Sequence, residues 1–547
     1  MTAPFLPGVR PSPAIVLALL LTVLAVLFAL APVHGEFYWS DAPRHALNGV
    51  FLKDFIANLP LDDPSAYAYR YYAQYPALTI LFYPPLFYVI SAPFYAVFGV
   101  SHATALGVVY LHYLAFAIAS WRLFGFWLPG WRAPAAALML VCAPEIAFWG
   151  RQIMLEIPAF AFMMFSALSF MHYRRHGRPV ALYVSAALLV LGLYSKISIA
   201  FMAPVFVLVL LYERRLALLR DRHAWIALVL AALSLVPLVV LTLKFGQANV
   251  QSVTGVADSR VARDTLAGWI WYLQRMPAQL GWPLCIAALA GLSVLFRERG
   301  QTRTLQVRAD ALFWGRWLML GYFFYSAIDL KEARHSLFIL PPVVMLACVF
   351  VRYVERYSRS VVALGLWFLL PTLVLAQTLF YRPVFQVQGY REAVDFVARN
   401  ASRDSNVMFS GYRDGAFIFN LRTREDRRDL GVVRADKLLL KVAVRRELGV
   451  TEKALSEDEL RSEIDRLGVH YVVAQPGFWS DLEAMKRLER VLAAAPFELV
   501  ARIATESNYP SSEQGLLIYR NTAIEGGTAA SRKIDLPMIN RSIEINR

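Results

Sequence analysis

The stretch Ala224-Trp-Ile-Ala-Leu-Val-Leu-Ala-Ala-Leu-Ser-Leu-Val-Pro-Leu-Val-Val-Leu-Thr-Leu243 runs for twenty residues without a charge. As a helix rising about 1.5 Å per residue it spans roughly 30 Å, the thickness of a bilayer's hydrocarbon core. Arg214, Arg215, Arg220 and Arg222 stand just before it and Lys244 just after. An apolar run with a dense basic flank on one side reads as a membrane span whose cytoplasmic end is marked by arginine.

Outward from this stretch the pattern repeats. Further apolar runs lie at 14–30, 104–121, 133–148, 157–172, 180–194, 197–212, 279–296, 311–328, 336–351 and 361–380, which makes about eleven transmembrane helices. The basic clusters are Arg122 with Arg132; Arg174, Arg175 and Arg178; the cluster before Ala224; Arg297, Arg299, Arg303 and Arg308; and Arg352, Arg356 and Arg359. With all five in the cytoplasm, the outward loops are 33–103, 149–156, 195–196, 244–278 and 329–335, and the tail from Tyr381 is outward too. This parity leaves the apolar stretch Tyr83-Pro84-Pro85-Leu86 to Phe98 unable to cross. It is expected to lie along the outer face or re-enter it as an aromatic, Pro-started interfacial helix.

Composition agrees. Of 547 residues 58% are hydrophobic and only 17% charged, and mean hydropathy is positive, beyond the balance of soluble proteins. The net charge of +15 sits in short inter-helix clusters and not on one soluble face, which excludes a nucleic-acid partner. Cys142, Cys285 and Cys348 lie far apart inside apolar runs, offering neither a disulfide framework nor metal-ligand spacing. The first run, with Arg10 before it, resembles a signal peptide but is long and lacks a clear cleavage site before His34; it is read as a retained first helix.

After Arg382 the chain becomes charged. Helix-like patterns at 390–399, 456–467 and 481–494 alternate with strand-like pieces at 406–409, 470–474 and 515–519, which predicts a small soluble α/β domain. The residues from Glu525 show no convincing period and are expected to be loosely held. Gly411-Tyr412-Arg413-Asp414-Gly415 reads as a surface turn, either a packing feature or part of an acceptor-binding face.

The residues with chemistry gather in the outward loops near helix ends: Asp41, Arg44 and His45; Arg151 and Glu156; Lys196; Lys244; and Lys331, Glu332, Arg334 and His335. A transporter would place such groups at mid-helix and show paired halves, and neither is evident. Asp41, in an aromatic-rich approach about ten residues past the first helix, sets a carboxylate just above the bilayer, where it can deprotonate a hydroxyl. Glu156 begins a helix, where an acid also complements the dipole. His45 and His335 read as hydrogen-bonding neighbours, so no metal is assigned and no cofactor is called for. A phosphate-cradling glycine loop is absent from the sequence, which fits a donor other than a cytoplasmic nucleotide sugar.

The order and spacing of Asp41, Tyr83-Pro84-Pro85-Leu86, the Arg-x-x-x-Leu-Glu-x-Pro of Arg151 to Pro158, and Lys331-Glu332-Ala333-Arg334-His335 leading to Pro341-Pro342 resemble the GT-C superfamily of membrane glycosyltransferases. The branch is that of protein O-mannosyltransferases and bacterial aminoarabinose transferases, and the resemblance covers roughly residues 13–380. It departs where Ala42 stands in place of a second acid and His335 in place of an aromatic.

The resemblance implies a polytopic α-helical GT-C catalytic domain over 1–380 in the bacterial inner membrane, with a periplasmic α/β domain over 381–547. It implies transfer of a hexose or pentose, with inversion, from a polyprenyl-phosphate-linked donor to a hydroxyl of a periplasmic lipid, glycan or protein. Asp41 would be the base, and Glu156 would organise the active site or acceptor. Lys331 and Arg334, with Lys196 and Arg151, would face the donor phosphate, and Arg44, His45, Tyr83 and His335 would line the acceptor or sugar. A non-catalytic envelope scaffold is the rival, and it would tolerate loss of Asp41.

Overall fold

Each of the eleven apolar runs is helical in the computed structural model of the chain, which describes residues 11–254, 258–298, 305–357, 360–443, 446–511, 513–524, 532–536 and 541–545. The chain opens with α1 (Pro13–Phe28), and the first loop folds as α2 (Asp41–Asn58), α3 (Pro64–Gln74) and α4 (Leu86–Phe98). There follow α5 (His102–Phe124), the pair α6 (Arg132–Val141) and α7 (Pro144–Gly150), α8 (Glu156–His176), α9 (Pro179–Ser195), α10 (Met202–Arg214) and α11 (Arg222–Phe245). The loop after α11 carries α12 (Gln247–Thr254) and α13 (Leu266–Leu280), and the bundle closes with α14 (Trp282–Arg297), α15 (Leu305–Ser326), α16 (Leu340–Tyr357) and α17 (Ser360–Tyr381). By length and composition alone five helical segments among the described residues can cross a membrane, or six if α6 and α7 count as one bent span. The other runs are shorter or more charged, so eleven crossings remains a reading of the charge pattern.

Ion pairs sort the loops into two ends. Arg132 pairs with Glu355 and Arg174 with Glu213, while Arg174 and Arg175 share Asp310, and Arg356 lies 3.7 Å from Glu298. These contacts tie the arginine-bearing ends to one another. At the opposite end Arg334 meets Asp41, Lys196 meets Glu156, and Arg263 approaches Asp329. The arginine-bearing ends thus contact one another, and the loops that carry Asp41, Glu156 and Arg334 contact one another apart from them.

Helix ends follow local chemistry. The α8 helix begins on Glu156 and ends on Arg174, Arg175 and His176, matching its dipole, and Gly177 at φ +68° terminates it in the left-handed conformation that favours glycine. Asp221 caps α11 by accepting from the backbone N–H groups of His223 and Ala224. The α4 helix leans on α2, where Tyr95 donates to the Ala46 carbonyl at 3.2 Å and a Cβ on Gly49 would sit 2.9 Å from the Tyr95 ring. Its other side exposes Val89, Val97 and Phe98, as an interfacial helix does.

The run expected as one helix over 133–148 is instead broken by Pro144 into α6 and α7, bent by 65°. Proline removes an N–H and frees carbonyls, which in a membrane must find other donors. They do: Tyr113 of α5 donates to the Val141 carbonyl and Thr378 of α17 to that of Cys142, both at 2.6 Å. The break turns α7 and the segment after it toward the outward loops.

The tail forms β1 (Asn406–Ser410), β2 (Gly431–Arg434), β3 (Leu440–Val442), β4 (Val450–Glu452), β5 (Val469–Ala474), β6 (Phe497–Ile503) and β7 (Leu516–Asn521). Its helices are α18 (Tyr390–Asn400), α19 (Asp414–Arg422), α20 (Ala435–Leu439), α21 (Glu457–Arg466) and α22 (Glu483–Leu492). Five strands pair in the order β2-β1-β5-β7-β6, with β2, β1 and β5 parallel and β7 and β6 antiparallel. Because side chains alternate along a strand, Val407 and Phe409 enter the apolar core shared with the membrane helices, while Met408 joins a second core under α21 and α22. The tail therefore does not stand apart. Arg422 of α19, fully buried, donates to Asp54 of α2 at 2.7 Å, and Tyr71 of α3 donates to the same carboxylate at 3.1 Å. The segment from Glu525 lies largely outside the described residues, and its described pieces, 532–536 and 541–545, pair antiparallel.

The tightest backbone approach in the bundle is at Gly291 of α14, where a Cβ would lie 1.8 Å from the Leu346 carbonyl of α16. Small residues permit such contact between membrane helices. Gly291→Ala must force these helices apart and is expected to cost about 1–3 kcal/mol. Thermal unfolding of the purified variant checks this, and an unchanged melting temperature would contradict the packing.

Candidate active site between the outward loops

Arg334, in the loop between α15 and α16, is the point where the outward loops meet. Its Nη1 donates to Asp41 at 3.2 Å, its Nε donates to Glu332 at 2.5 Å and lies 3.9 Å from Glu156, and its guanidinium stands 5.3 Å from the Trp149 ring centre. Its Nη2 has no hydrogen-bond partner among the described residues. Glu156 is wholly buried and accepts from Lys196 at 2.6 Å. Tyr83 donates to the other oxygen of Asp41 at 3.2 Å. His45 packs edge-on to Tyr83 and bonds Tyr88 through Nδ1 at 2.8 Å. His335 Nε2 lies 3.8 Å from Glu332.

Each group is placed by a local feature. Asp41 occupies the first turn of α2, and Glu156 the first residue of α8, which the turn at Pro144 brings round. Lys196 sits in the break after α9, and Tyr83 just before the Pro-Pro start of α4. Five residues singled out in four separate loops, Asp41, Tyr83, Glu156, Lys196 and Arg334, thus converge, with His45 and His335 at the margin.

Three other candidates are turned elsewhere. Arg151 is buried and donates to the carbonyls of Ala147 and Arg382, both at 2.8 Å, and of Leu27 at 3.5 Å, so its charge closes the ends of α7, α1 and α17. Lys331 donates to the carbonyls of Ser326 at 2.6 Å, Ile328 at 2.5 Å and Tyr325 at 3.4 Å, which uses all three ammonium protons on the end of α15. Lys331 thus has its three donors engaged, while Arg151 keeps two N–H groups beyond its three backbone bonds. Arg44 grips Asp414 of the tail with bonds of 2.9 and 3.0 Å instead of facing the space beside Asp41. Glu332, named in the sequence with its basic neighbours but given no role, pairs with Arg334, and Trp149, which nothing local marks in the sequence, lies against the same guanidinium.

Electrostatically the cluster carries more acid than base. Asp41, Glu156 and Glu332 are three carboxylates facing two cations, Arg334 and Lys196. Burial raises the Asp41 carboxyl, but Arg334, with His45 and Arg44, outweighs it and brings it down to about 2. Arg334 is itself held charged against burial by Glu156, Glu332 and Asp41. Glu156 Oε2 and His335 Nδ1 are buried without a hydrogen-bond partner. Both atoms have room in their hydrogen bonding for a water or a ligand. Among the described residues no group of three His, Cys, Asp or Glu side chains is arranged to hold a metal ion.

The chain is similar to known proteins in part of its sequence and in its fold. Residues 83–241 match the model of the dolichyl-phosphate-mannose-protein mannosyltransferase family. No curated protein matches by sequence. Among solved structures, ArnT from Cupriavidus metallidurans bound to undecaprenyl phosphate is similar with a TM-score of 0.62 and 14% identity, over 94% of this chain and 99% of that one. The arabinofuranosyltransferase AftD from Mycobacteria is similar with a TM-score of 0.53 and 13% identity, over 96% of this chain and 41% of that one. The Archaeoglobus fulgidus oligosaccharyltransferase in its apo form gives 0.52 and 12%, over 84% and 69%. The resemblance to the GT-C superfamily drawn from the motifs holds at the level of fold.

Burial lowers the His45 imidazole to about 4, against the pull of Asp41 and Glu156. A folded-state value below the unfolded one, about 6.5, means that the unfolded chain binds the extra proton. The stabilisation from the neutral ring is therefore complete above pH 6.5 and is lost as pH falls toward 4, by at most about 3 kcal/mol. Asp41 adds nothing in that window, since its stabilisation is lost only from about 3.8 downward through about 2. His45→Gln should flatten the fall in melting temperature between pH 6.5 and 4; an unaltered slope would contradict a buried neutral His45.

Proposed function

We propose that this chain is a membrane glycosyltransferase that moves a sugar from a polyprenyl-phosphate-linked donor to a hydroxyl of an extracytoplasmic acceptor, with inversion at the anomeric carbon. The observation that carries the reading is the convergence of Asp41, Glu156 and Arg334 from three loops onto one end of the bundle. A scaffold has no use for a buried carboxylate oxygen left open at Glu156. The family match over residues 83–241 and the fold shared with ArnT support the choice of donor. In the same reading the arginine-rich ends lie in the cytoplasm of a bacterium, and the site and tail face the periplasm.

The chemistry follows from the charges. A donor phosphate cannot simply add to a cluster that already carries more carboxylates than cations; Arg334 must exchange partners. Its open Nη2 receives the phosphate, its bond to Asp41 is given up, and the Asp41 carboxylate becomes a better base as the donor is seated. The acceptor oxygen then attacks the anomeric carbon and the bond from that carbon to the phosphate oxygen breaks. The electron pair leaves with the polyprenyl phosphate, whose gain of charge Arg334 meets, and the acceptor proton passes to Asp41. Glu156, held by Lys196, accepts a hydrogen bond from a substrate hydroxyl or amine through its open oxygen.

Transfer from a panel of labelled polyprenyl-phosphate sugars into a membrane extract tests this with the purified chain beside Asp41→Asn and Arg334→Gln. Asp41→Asn should lower kcat by about 10²–10⁴, and Arg334→Gln by about 10²–10³, with both variants folded. Equal transfer by the parent and Asp41→Asn would remove Asp41 from catalysis.

A further inference from the structure

The segment that carries Asp41 is gripped almost residue by residue by the tail. Asn420 donates to the Gly35 carbonyl at 3.3 Å, and Phe419 packs edge-on to Phe37 at 5.4 Å. The Arg413 guanidinium lies 4.4 Å from the Tyr38 ring centre. A Cβ on Gly415 would stand 3.0 Å from Pro43, so α19 touches the first turn of α2 directly. Asp414 takes both Arg44 bonds and also meets Arg434 at 2.6 Å. The turn at Gly411–Gly415 is thus no free surface feature.

Arg44 stands three residues after Asp41 on α2, a spacing that makes the two side chains neighbours on one helical face. Its guanidinium is turned away because Asp414 binds it with both oxygens, while Nη1 closes on the Ser40 carbonyl at 2.8 Å. Asp414 is the only carboxylate paired with Arg44 among the described residues. Arg434, by contrast, keeps a second partner in Asp436 at 2.6 Å.

We propose that Asp414 of the tail is a positioning residue for transfer: it sequesters Arg44, so that when the donor draws Arg334 away, no second arginine closes on the Asp41 carboxylate. The tail thereby completes the active site without touching substrate. This rests on the reading of Asp41 as the base.

The test is a two-by-two set, Asp414→Asn, Arg44→Ala and the double variant, assayed with the labelled polyprenyl-phosphate sugar of the panel that the parent transfers fastest, with Asp41→Asn as control. Asp414→Asn frees Arg44 to pair with Asp41 and is expected to lower kcat about tenfold, with the KM for donor within about twofold. Arg44→Ala, which removes the competitor, stays within about threefold of the parent, and so does the double variant, which recovers the lost rate. That recovery is the signature, since a merely structural Asp414 gains nothing from loss of its partner. Asp414→Asn as active as the parent, or equally slow or unfolded in both backgrounds, would overturn the proposal. An active Asp41→Asn control would instead overturn the reading of the base on which it rests.

Discussion

One guanidinium holds the outward end of this molecule together. Arg334 is shared by Asp41, Glu156 and Glu332, each from a different stretch of chain, and no single partner satisfies it. In a partly buried setting such a charge must be paired, and breaking one of its bonds is costly unless another anion replaces it. That constraint makes the cluster stable when empty and exchangeable when an anionic ligand arrives. It also explains why the surrounding cations differ in kind. Lys196 is bound to the buried Glu156, whereas Arg151 and Lys331 donate to the carbonyls at helix ends.

Two remote features make the convergence possible. The break at Pro144 swings α7 and the residues up to Glu156 toward the loops, with its freed carbonyls met by Tyr113 and Thr378. The tail presses α19 onto α2 through the Asp54–Arg422 pair and through Arg44–Asp414. Membrane helices, first loop and tail are in this sense one packed body, with the tail's inner sheet face continuous with the bundle's apolar core.

Much of this was legible in the sequence because hydrophobic pattern decides it. The apolar runs are helices at the expected places, and the strand-like pieces at 406–409, 470–474 and 515–519 lie within a residue or two of β1, β5 and β7. Asp41, Tyr83, Glu156 and Arg334 were visible as charged or aromatic residues beside helix ends. What escaped depends on partners distant in the chain or on backbone demand. The carbonyls that occupy Arg151 and Lys331 carry no side-chain signal. Asp414, which claims Arg44, lies 370 residues away from it. The split of the run 133–148 was readable in principle, since Pro144 stood within it, but which carbonyls it frees and what satisfies them are tertiary facts.

The position of the donor phosphate decides the role of Arg334. A structure of the chain in a lipid nanodisc with undecaprenyl phosphate should show the phosphate oxygens within hydrogen-bond distance of Arg334, with the Arg334–Asp41 bond opened and the Arg44–Asp414 pair intact. A phosphate bound away from Arg334, or one bound there with Arg334 still paired to Asp41, would contradict it.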